Sequence, residues 1–339
     1  VHRGPEDDDG PHRPHPAVPA RDRLAALTDE LARRLEGFGI RALRPLPGGA
    51  SSLTYAGERR GQPVVVKVAP AGVAPVGHRD VLRQARIIRA LSDTPVPVPE
   101  VLVTDDGDPP LFVMSHVDGT SVEPLYDPVR DGGDDEVGGR YHRAAEVMAA
   151  LHRLPVHALG LADEPVVTAA GEVERWCRTL QTVDIALAPG WRDVAAALRA
   201  SAPAPMPPAV VHGDFRLGNL LCAGSEVRAV IDWEIWTVGD PRIDAGWFLV
   251  NSDARTYRRS TPYVGRTPLP ADLADTYARA LESAVPRLNW FCALACFKSV
   301  ATWSLIVKHN RRRPSPRPEL EAMAPVLPGL LAQARDLLG

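Results

Sequence analysis

The chain has 339 residues, 45% of them apolar, with 39 Lys and Arg against 42 Asp and Glu and a formal net charge of -3. That length and apolar share suffice for one large domain or two lobes around a substantial core, and the near-neutral charge lacks the basic footprint of a nucleic-acid-binding protein. No uninterrupted apolar run approaches the roughly 20 residues that cross a bilayer, and no apolar signal segment stands at the start, so the sequence predicts a cytoplasmic protein without nucleic-acid or membrane partners.

Residues 1–19 combine the acidic run Asp7, Asp8 and Asp9 with alternating His and Pro and almost no apolar content, which predicts a disordered tail. From residue 21 the pattern changes. Leu24, Leu27, Leu31, Leu35 and Phe38 recur at helical steps, and Gly37 and Gly39 end the helix. Three strand-like stretches follow at 40–46, 53–57 and 64–68, then a helix over 80–91 stopped by the proline run 95–99, then strands at 101–104 and 111–114.

Beyond Gly119 a Gly/Asp segment, 131–135, reads as a solvated loop. Helical patterns then cover 137–153, 171–187, 191–200, 272–284, 288–308 and 319–338, interrupted by the loop and strand signals of 209–236. The four cysteines, Cys177, Cys222, Cys292 and Cys296, are too few and too irregularly spaced for a disulfide framework or a zinc site and read as small buried thiols. The expected architecture is α+β with two lobes: an N-terminal lobe over 20–116, with a five-stranded antiparallel sheet and a helix, and a larger, mainly helical lobe over 117–339. The chemistry belongs in the cleft between them. No pattern specifies an oligomeric state.

The strongest signal is His212-Gly213-Asp214-Phe215-Arg216-Leu217-Gly218-Asn219, with Ile231-Asp232-Trp233-Glu234 following and Asp232 thirteen residues after Asn219. Phosphoryl transfer needs a carboxylate to orient the attacking hydroxyl and oxygen ligands to hold magnesium on the phosphates. An Asp with an Asn five residues on suits a loop that curls back so that the two serve those two jobs. A lone His-x-Asp is usually chance and a lone Asp near a strand end usually a cap. The two motifs in this order are far more specific.

The chain resembles the aminoglycoside phosphotransferase and choline kinase superfamily, which has a protein-kinase-like fold, and most of all its subgroup that includes kinase-like domains fused to acyl-CoA dehydrogenases. The stretches that carry the resemblance are residues 46–52, Val64-Val65-Val66-Lys67, the 95–99 run, Ala150-Leu151-His152-Arg153, the His212 loop, and Asp232 through Asp244. The resemblance implies ATP and Mg2+ as cofactors and a small-molecule hydroxyl as acceptor. It makes Asp214 the catalytic, hydroxyl-orienting carboxylate and Asn219 and Asp232 the magnesium ligands. Arg216 would face the transferred phosphoryl or, equally, form a loop-stabilising ion pair. Lys67 would reach the α- and β-phosphates, and Gly48, Gly49, Ser51 and Ser52 would cover them or form an ordinary turn. Met114 leads to a hinge at Ser115, His116 and Val117 for the adenine edge, with His116 at the rim. His212, Asp240 and Asp244 are assigned structural support.

One position departs from the family pattern. Most relatives carry a Glu that pairs with the strand lysine, and here that position is Gln84, which offers no charge. Asp80, a turn earlier, is the expected substitute. The departure keeps a non-catalytic nucleotide-binding protein as the alternative of another class, although Lys67, Asp214, Asn219 and Asp232 would be dispensable in one. A protein kinase is disfavoured because only eight residues separate Asp232 from Asp240.

For the acceptor, residues 241–339 hold 14 Lys or Arg against 8 Asp or Glu. That excess disfavours a polycationic aminoglycoside and favours a neutral or anionic alcohol, such as a hydroxy acid or a hydroxyacyl-CoA. Lys308, His309, Arg311, Arg312 and Arg313 either attract its acidic group or simply close a helix C-terminus. Trp176, Trp290, Trp303 and Tyr277 either line its pocket or belong to the core.

Overall fold

The computed structural model describes residues 20–46, 52–70, 72, 74, 76–123, 136–257, 263 and 265–339. The expected tail 1–19, the Gly/Asp segment 131–135, and Gly48, Gly49 and Ser51 lie outside them. The N-terminal lobe begins with α1 (Ala20–Glu36) and a sheet of β1 (Ile40–Pro45), β2 (Leu53–Arg59), β3 (Gln62–Val68), β4 (Val101–Asp105) and β5 (Leu111–Ser115). Its order is β1-β2-β3-β5-β4, every pair antiparallel, in agreement with the expected fold class.

The period of two along β3 decides which side chains see the cleft. Val64, Val66 and Val68 are buried against Leu31 and Leu35 of α1, together with Tyr55 of β2. Val65 packs into the other core, with α2 (Val81–Leu91), so Lys67, two residues on from Val65, projects to the same, cleft-facing side. Asp80 caps α2 by accepting a hydrogen bond from the Arg83 amide at 3.0 Å. Arg83 then ties α2 to the larger lobe: it donates to the Trp236 carbonyl at 2.8 Å, lies 3.8 Å from the Trp236 ring centroid, and pairs with Glu164 at 3.0 Å.

The second lobe runs α3 (Val137–His152), β6 (Val166–Val167), α4 (Ala169–Leu180), α5 (Trp191–Ala200), β7 (Ala209–Val211), β8 (Leu220–Ala223), β9 (Glu226–Val230), β10 (Thr237–Gly239), α6 (Arg242–Ser252), α7 (Pro270–Leu281), α8 (Leu288–Arg311), α9 (Pro318–Glu321) and α10 (Leu327–Leu338). The strands form a three-stranded sheet, β6-β10-β7, and a β8-β9 hairpin. Two expected helices are shorter than their periodicity suggests. The stretch 171–187 ends at Leu180, where Thr182 turns back onto the Thr179 carbonyl and Asp184 caps a separate short turn. The stretch 319–338 breaks into α9, a 3-10 turn and α10, because Pro325 and Pro328 cannot supply interior helical amides. The helix α6 has no periodic signature because every one of its residues is buried.

The 24-residue helix α8 corrects one expectation: by length and composition it is apolar enough to cross a membrane. The sequence criterion of an unbroken apolar run missed it because Lys298 and small polar residues interrupt the stretch. Most of its apolar window, 78%, is buried inside the protein, against α4, α5, α6 and α10. A core position accounts for that hydropathy.

Helices α6 and α8 meet at Gly246, where an added Cβ would stand 2.5 Å from the Phe291 carbonyl carbon and oxygen. Neither helix can yield without moving the other. Gly246→Ala is expected to lower unfolding stability by about 3 kcal/mol through overpacking, measurable as a reduced urea midpoint at unchanged slope.

Candidate active site

The loop after β7 is held from below. Asp244, fully buried near the start of α6, accepts the His212 amide at 2.6 Å through Oδ2 and the Gly213 amide at 2.8 Å through Oδ1. His152 of α3 stands with Nε2 3.4 Å from the same Oδ2, and its Nδ1 is 2.7 Å from the Tyr277 hydroxyl. Burial alone would raise the Asp244 carboxyl, but the hydrogen bond and charge of His152 outweigh it and hold the group below its ordinary value. Gly213 has φ +86°, and a Cβ there would come within 2.7 Å of the Ile235 carbonyl, so both conformation and space require glycine. The imidazole of His212 completes the loop: Nδ1 accepts the Asp214 amide at 3.2 Å and Nε2 lies 2.9 Å from the Ile231 carbonyl. That pattern assigns the proton to Nε2.

Asp214 is gripped on every side. Trp247 Nε1 donates to Oδ1 at 2.8 Å, Asn219 Nδ2 donates to Oδ2 at 2.8 Å and to the main-chain carbonyl at 2.9 Å, and Arg216 Nε lies 3.1 Å from Oδ2. Arg216 also bonds Glu123 through Nη1. Burial would raise the Asp214 carboxyl, yet the charges of Arg216 and Lys298 and the Asn219 bond win and lower it. The group is therefore an anion at neutral pH, with 24% of its side chain still exposed. Arg216 occupies the ion-pair position in this structure.

Across the cleft, Lys67 Nζ lies 3.3 Å from Asp232 Oδ1. Asp232 has φ +67°, a left-handed conformation that costs a non-glycine residue of order 1 kcal/mol. The Ile231 amide bonds the Asn219 carbonyl at 2.9 Å, which fastens the segment bearing Asp232 to the one bearing Asn219. Asp80 does not substitute for the absent Glu, because its carboxylate is the α2 cap. Gln84 is 2% exposed and its Nε2 has no partner. Ser52 is likewise buried with its hydroxyl unpaired. At the expected hinge, Met114 is buried between Val65 and Val101. The Ser115 and His116 amides are engaged by the Glu100 and Pro63 carbonyls at 2.9 and 3.2 Å, while the His116 side chain lies at the rim beside Asp118.

Asp240 has a different task from Asp244. It pairs with Arg242 at 2.7 Å and accepts the Met206 amide at 3.1 Å, and Arg242 in turn reaches the carbonyls of Ala204 and Pro286. Asp240 thus braces the segment entering β7 rather than the His212 loop. Two of the five basic-cluster residues are engaged elsewhere: Lys308 donates to the Thr182 carbonyl at 2.5 Å, and Arg311 pairs with Glu321. Trp176, Trp290 and Tyr277 are core residues.

A cavity of about 310 Å³ opens onto Asp214, walled by Arg216, Trp247, Asn251, Trp303 and Ile306. None of the five basic-cluster residues lines it. A larger one of about 500 Å³, between α6, α7, α8 and α10, touches neither Asp214 nor Lys67. The smaller cavity is the candidate acceptor site because it adjoins the anion that can orient a hydroxyl. Sequence reasoning passed over Trp247, Glu123 and Lys298. Lys298, a single charge in a long apolar stretch, left a signal, whereas Trp247 lies on α6, whose fully buried residues show no period.

The phosphotransferase enzyme family, APH, matches residues 42–291, and the chain belongs to that family. It is 27% identical over 306 residues to acyl-CoA dehydrogenase family member 11 of Gallus gallus, covering 80% of this chain and 38% of that protein. The Homo sapiens protein of that name is 28% identical over 300 residues, 80% and 37% of the two chains. This chain thus spans well under half the length of these relatives. Among solved structures, one from Ralstonia eutropha described as a candidate aminoglycoside phosphotransferase superposes with a TM-score of 0.73 at 20% identity, over 92% of this chain and 98% of the other. A thermostable variant of APH(4)-Ia, in ternary complex with AMP-PNP and hygromycin B, gives 0.63 at 18% identity, over 90% and 98%. The fold is the kinase-like fold of this family.

The depressed Asp244 carboxyl makes a signed prediction. Its stabilising contribution is full above the unfolded-state value near pH 4 and is lost as pH falls through the lower folded-state value. Asp244→Asn is expected to cost about 3 kcal/mol at pH 7. Denaturant unfolding across a pH series should show that gap narrowing on acidification below about pH 4.

Proposed function

We propose that this chain is an ATP- and magnesium-dependent O-phosphotransferase that phosphorylates the hydroxyl of a small neutral or anionic alcohol, such as a hydroxy acid or hydroxyacyl-CoA. The observation that carries the reading is an anionic Asp214, fixed by Trp247 and Asn219, at the mouth of a cavity with aromatic walls. A hydroxyl in that cavity donates to the Asp214 oxygen, which aligns its lone pair with the γ-phosphorus of ATP and takes up the proton as the new O–P bond forms and the bond from that phosphorus to the β–γ bridging oxygen breaks, so that ADP leaves.

The residues present fit the nucleotide and its cation. Asn219 spends its side-chain amide hydrogens on Asp214, which leaves its side-chain Oδ1 as a hard ligand. Asp232 adds carboxylate oxygens, the donor type magnesium takes. Bound magnesium would neutralise charge on the phosphate oxygens. Lys67, now on Asp232, is placed to turn to the α- and β-phosphates, and the unpaired Ser52 hydroxyl is a donor at the base of the loop expected to cover them. Arg216, tethered to Asp214 and Glu123, holds the carboxylate and sits at the cavity wall, close to where equatorial oxygens develop charge.

The charge of the cavity supports the choice of acceptor. Asp214 is the only carboxylate among the described residues lining it, and Arg216 already balances it. A polycation would find no further anion there.

Purified protein with ATP and magnesium should phosphorylate an alcohol in a panel of hydroxy acids, their CoA esters, choline-like alcohols and aminoglycosides. Asp214→Ala should lower turnover by about 10²–10⁴, with ATP affinity within about twofold. Activity on aminoglycosides alone would reject the acceptor class. ATP binding with no product across the panel would favour the non-catalytic alternative. Independently, Gln84→Glu should tighten ATP binding by roughly tenfold, by giving Lys67 a charged partner on α2; calorimetry showing no gain would sink the idea that Gln84 loosens the nucleotide site.

A further inference from the structure

Lys298 lies in the middle of α8, only 6% exposed, among Leu294, Ala295, Phe297, Val300 and Ala301, all buried. Its ammonium donates to the Gly213 carbonyl and lies 3.9 Å from the Trp247 ring centroid and 5.6 Å from that of Trp176. Among the described residues no carboxylate forms an ion pair with it; Asp214, Glu172 and Asp244 act on it from farther away. A buried ammonium without an ion-pair partner is costly, and an apolar side chain of similar length would pack there without that cost. Its contacts give it a task that stability alone does not.

Both of its principal contacts lead to Asp214. Gly213 contributes the carbonyl of the peptide whose N–H belongs to Asp214, and that N–H is already fixed on His212 Nδ1. Trp247 offers its ring face to the ammonium and its Nε1 to Asp214 Oδ1. A desolvated cation over an indole face is worth about as much as a good hydrogen bond, so one ammonium couples the main chain entering Asp214 to the indole aimed at its carboxylate. Asp244 holds the amide of Gly213 while Lys298 holds its carbonyl. The two buried groups therefore clamp the residue preceding Asp214 at both of its main-chain polar atoms.

We propose that Lys298 is a positioning residue for phosphoryl transfer, whose ammonium locks the Gly213–Asp214 peptide and the Trp247 indole into one unit and so sets the orientation in which Asp214 meets the acceptor hydroxyl. The proposal rests on the reading of Asp214 as the hydroxyl-orienting carboxylate. A misplacement of the order of 1 Å at such a group costs about 10²-fold in rate.

The test is Lys298→Met, read by hydrogen–deuterium exchange of the amides of 212–219 in the nucleotide-free protein and by ADP release from magnesium-ATP with water or a panel alcohol as acceptor. Exchange in that loop should rise roughly tenfold over wild type and ADP release should fall by about 10²-fold, with ATP KM within about twofold. Lys298→Arg should recover part of both, since a guanidinium can also donate to the carbonyl and stack on the indole. Unchanged loop exchange in Lys298→Met overturns the proposal, and so does faster exchange without loss of turnover. Lys298→Gln, with the same two readouts and expectations, serves where the Met variant does not fold. Asp214→Ala measured alongside separates the two ideas: if it retains wild-type turnover, the reading of Asp214 fails, whatever loop exchange shows for Lys298.

Discussion

The loop that carries Asp214 depends on one buried carboxylate. Asp244 takes the amides of His212 and Gly213, two successive donors at a turn where Gly213 is in a left-handed conformation and has no strand partner to offer. Without that acceptor the loop would bury two unpaired N–H groups, which is about as costly as losing the hydrogen bonds themselves. His152 first, and then His212 and its amide, hold that buried carboxylate below its ordinary value, and His152 in turn stands against the Tyr277 hydroxyl. The ligands of Asp244 thus come from α3, the β7 loop and, through His152, α7. Those packing relations, more than the local loop sequence, decide where Asp214 points.

The link between the lobes follows a different logic. Lys67 and Asp232 meet at 3.3 Å across the cleft, but α2 is not held by the lysine. Its anchor is Arg83, which stacks on Trp236, bonds the Trp236 carbonyl, and shares Glu164 with Arg86. The Trp236 indole closes the arrangement by donating to the Arg83 carbonyl at 3.1 Å. Docked in this way, α2 keeps its place without any ion pair between Gln84, which is buried and uncharged, and Lys67.

The strands of the N-terminal lobe were legible because each is a short stretch bounded by turn residues. The His212 loop and Asp232 were legible because phosphoryl transfer restricts residue types at fixed spacing. Other features were hidden for physical reasons. Helix α6 is buried all round and has no polar face to give it a period, so the element that supplies both Asp244 and Trp247 had no pattern to find. The pairing of Asp80 was misread because a carboxylate at a helix start satisfies the nearest orphan amide before it reaches a lysine in another element. The separate tasks of Asp240 and Asp244, four residues apart, depend on which carbonyls and amides tertiary packing brings to each.

The charges of the site neutralise one another pair by pair. Lys67 is matched by Asp232, Arg216 by Asp214 and Glu123, and Lys298 by a carbonyl and an indole face. These pairs differ in how readily they can be exchanged. Lys67 is joined to a residue that is itself about one-third exposed, in a single contact of 3.3 Å, so little is lost when both partners turn to a new anion and a new cation. The contacts of Asp214 are several and short, and Lys298 is buried, so their rearrangement would strand desolvated groups. The distribution therefore separates a half of the cleft whose ion pair exchanges at little cost from a half whose contacts are costly to rearrange. On the proposed reading of Asp214 as the hydroxyl-orienting carboxylate, the second half is where preorganisation would lower the barrier.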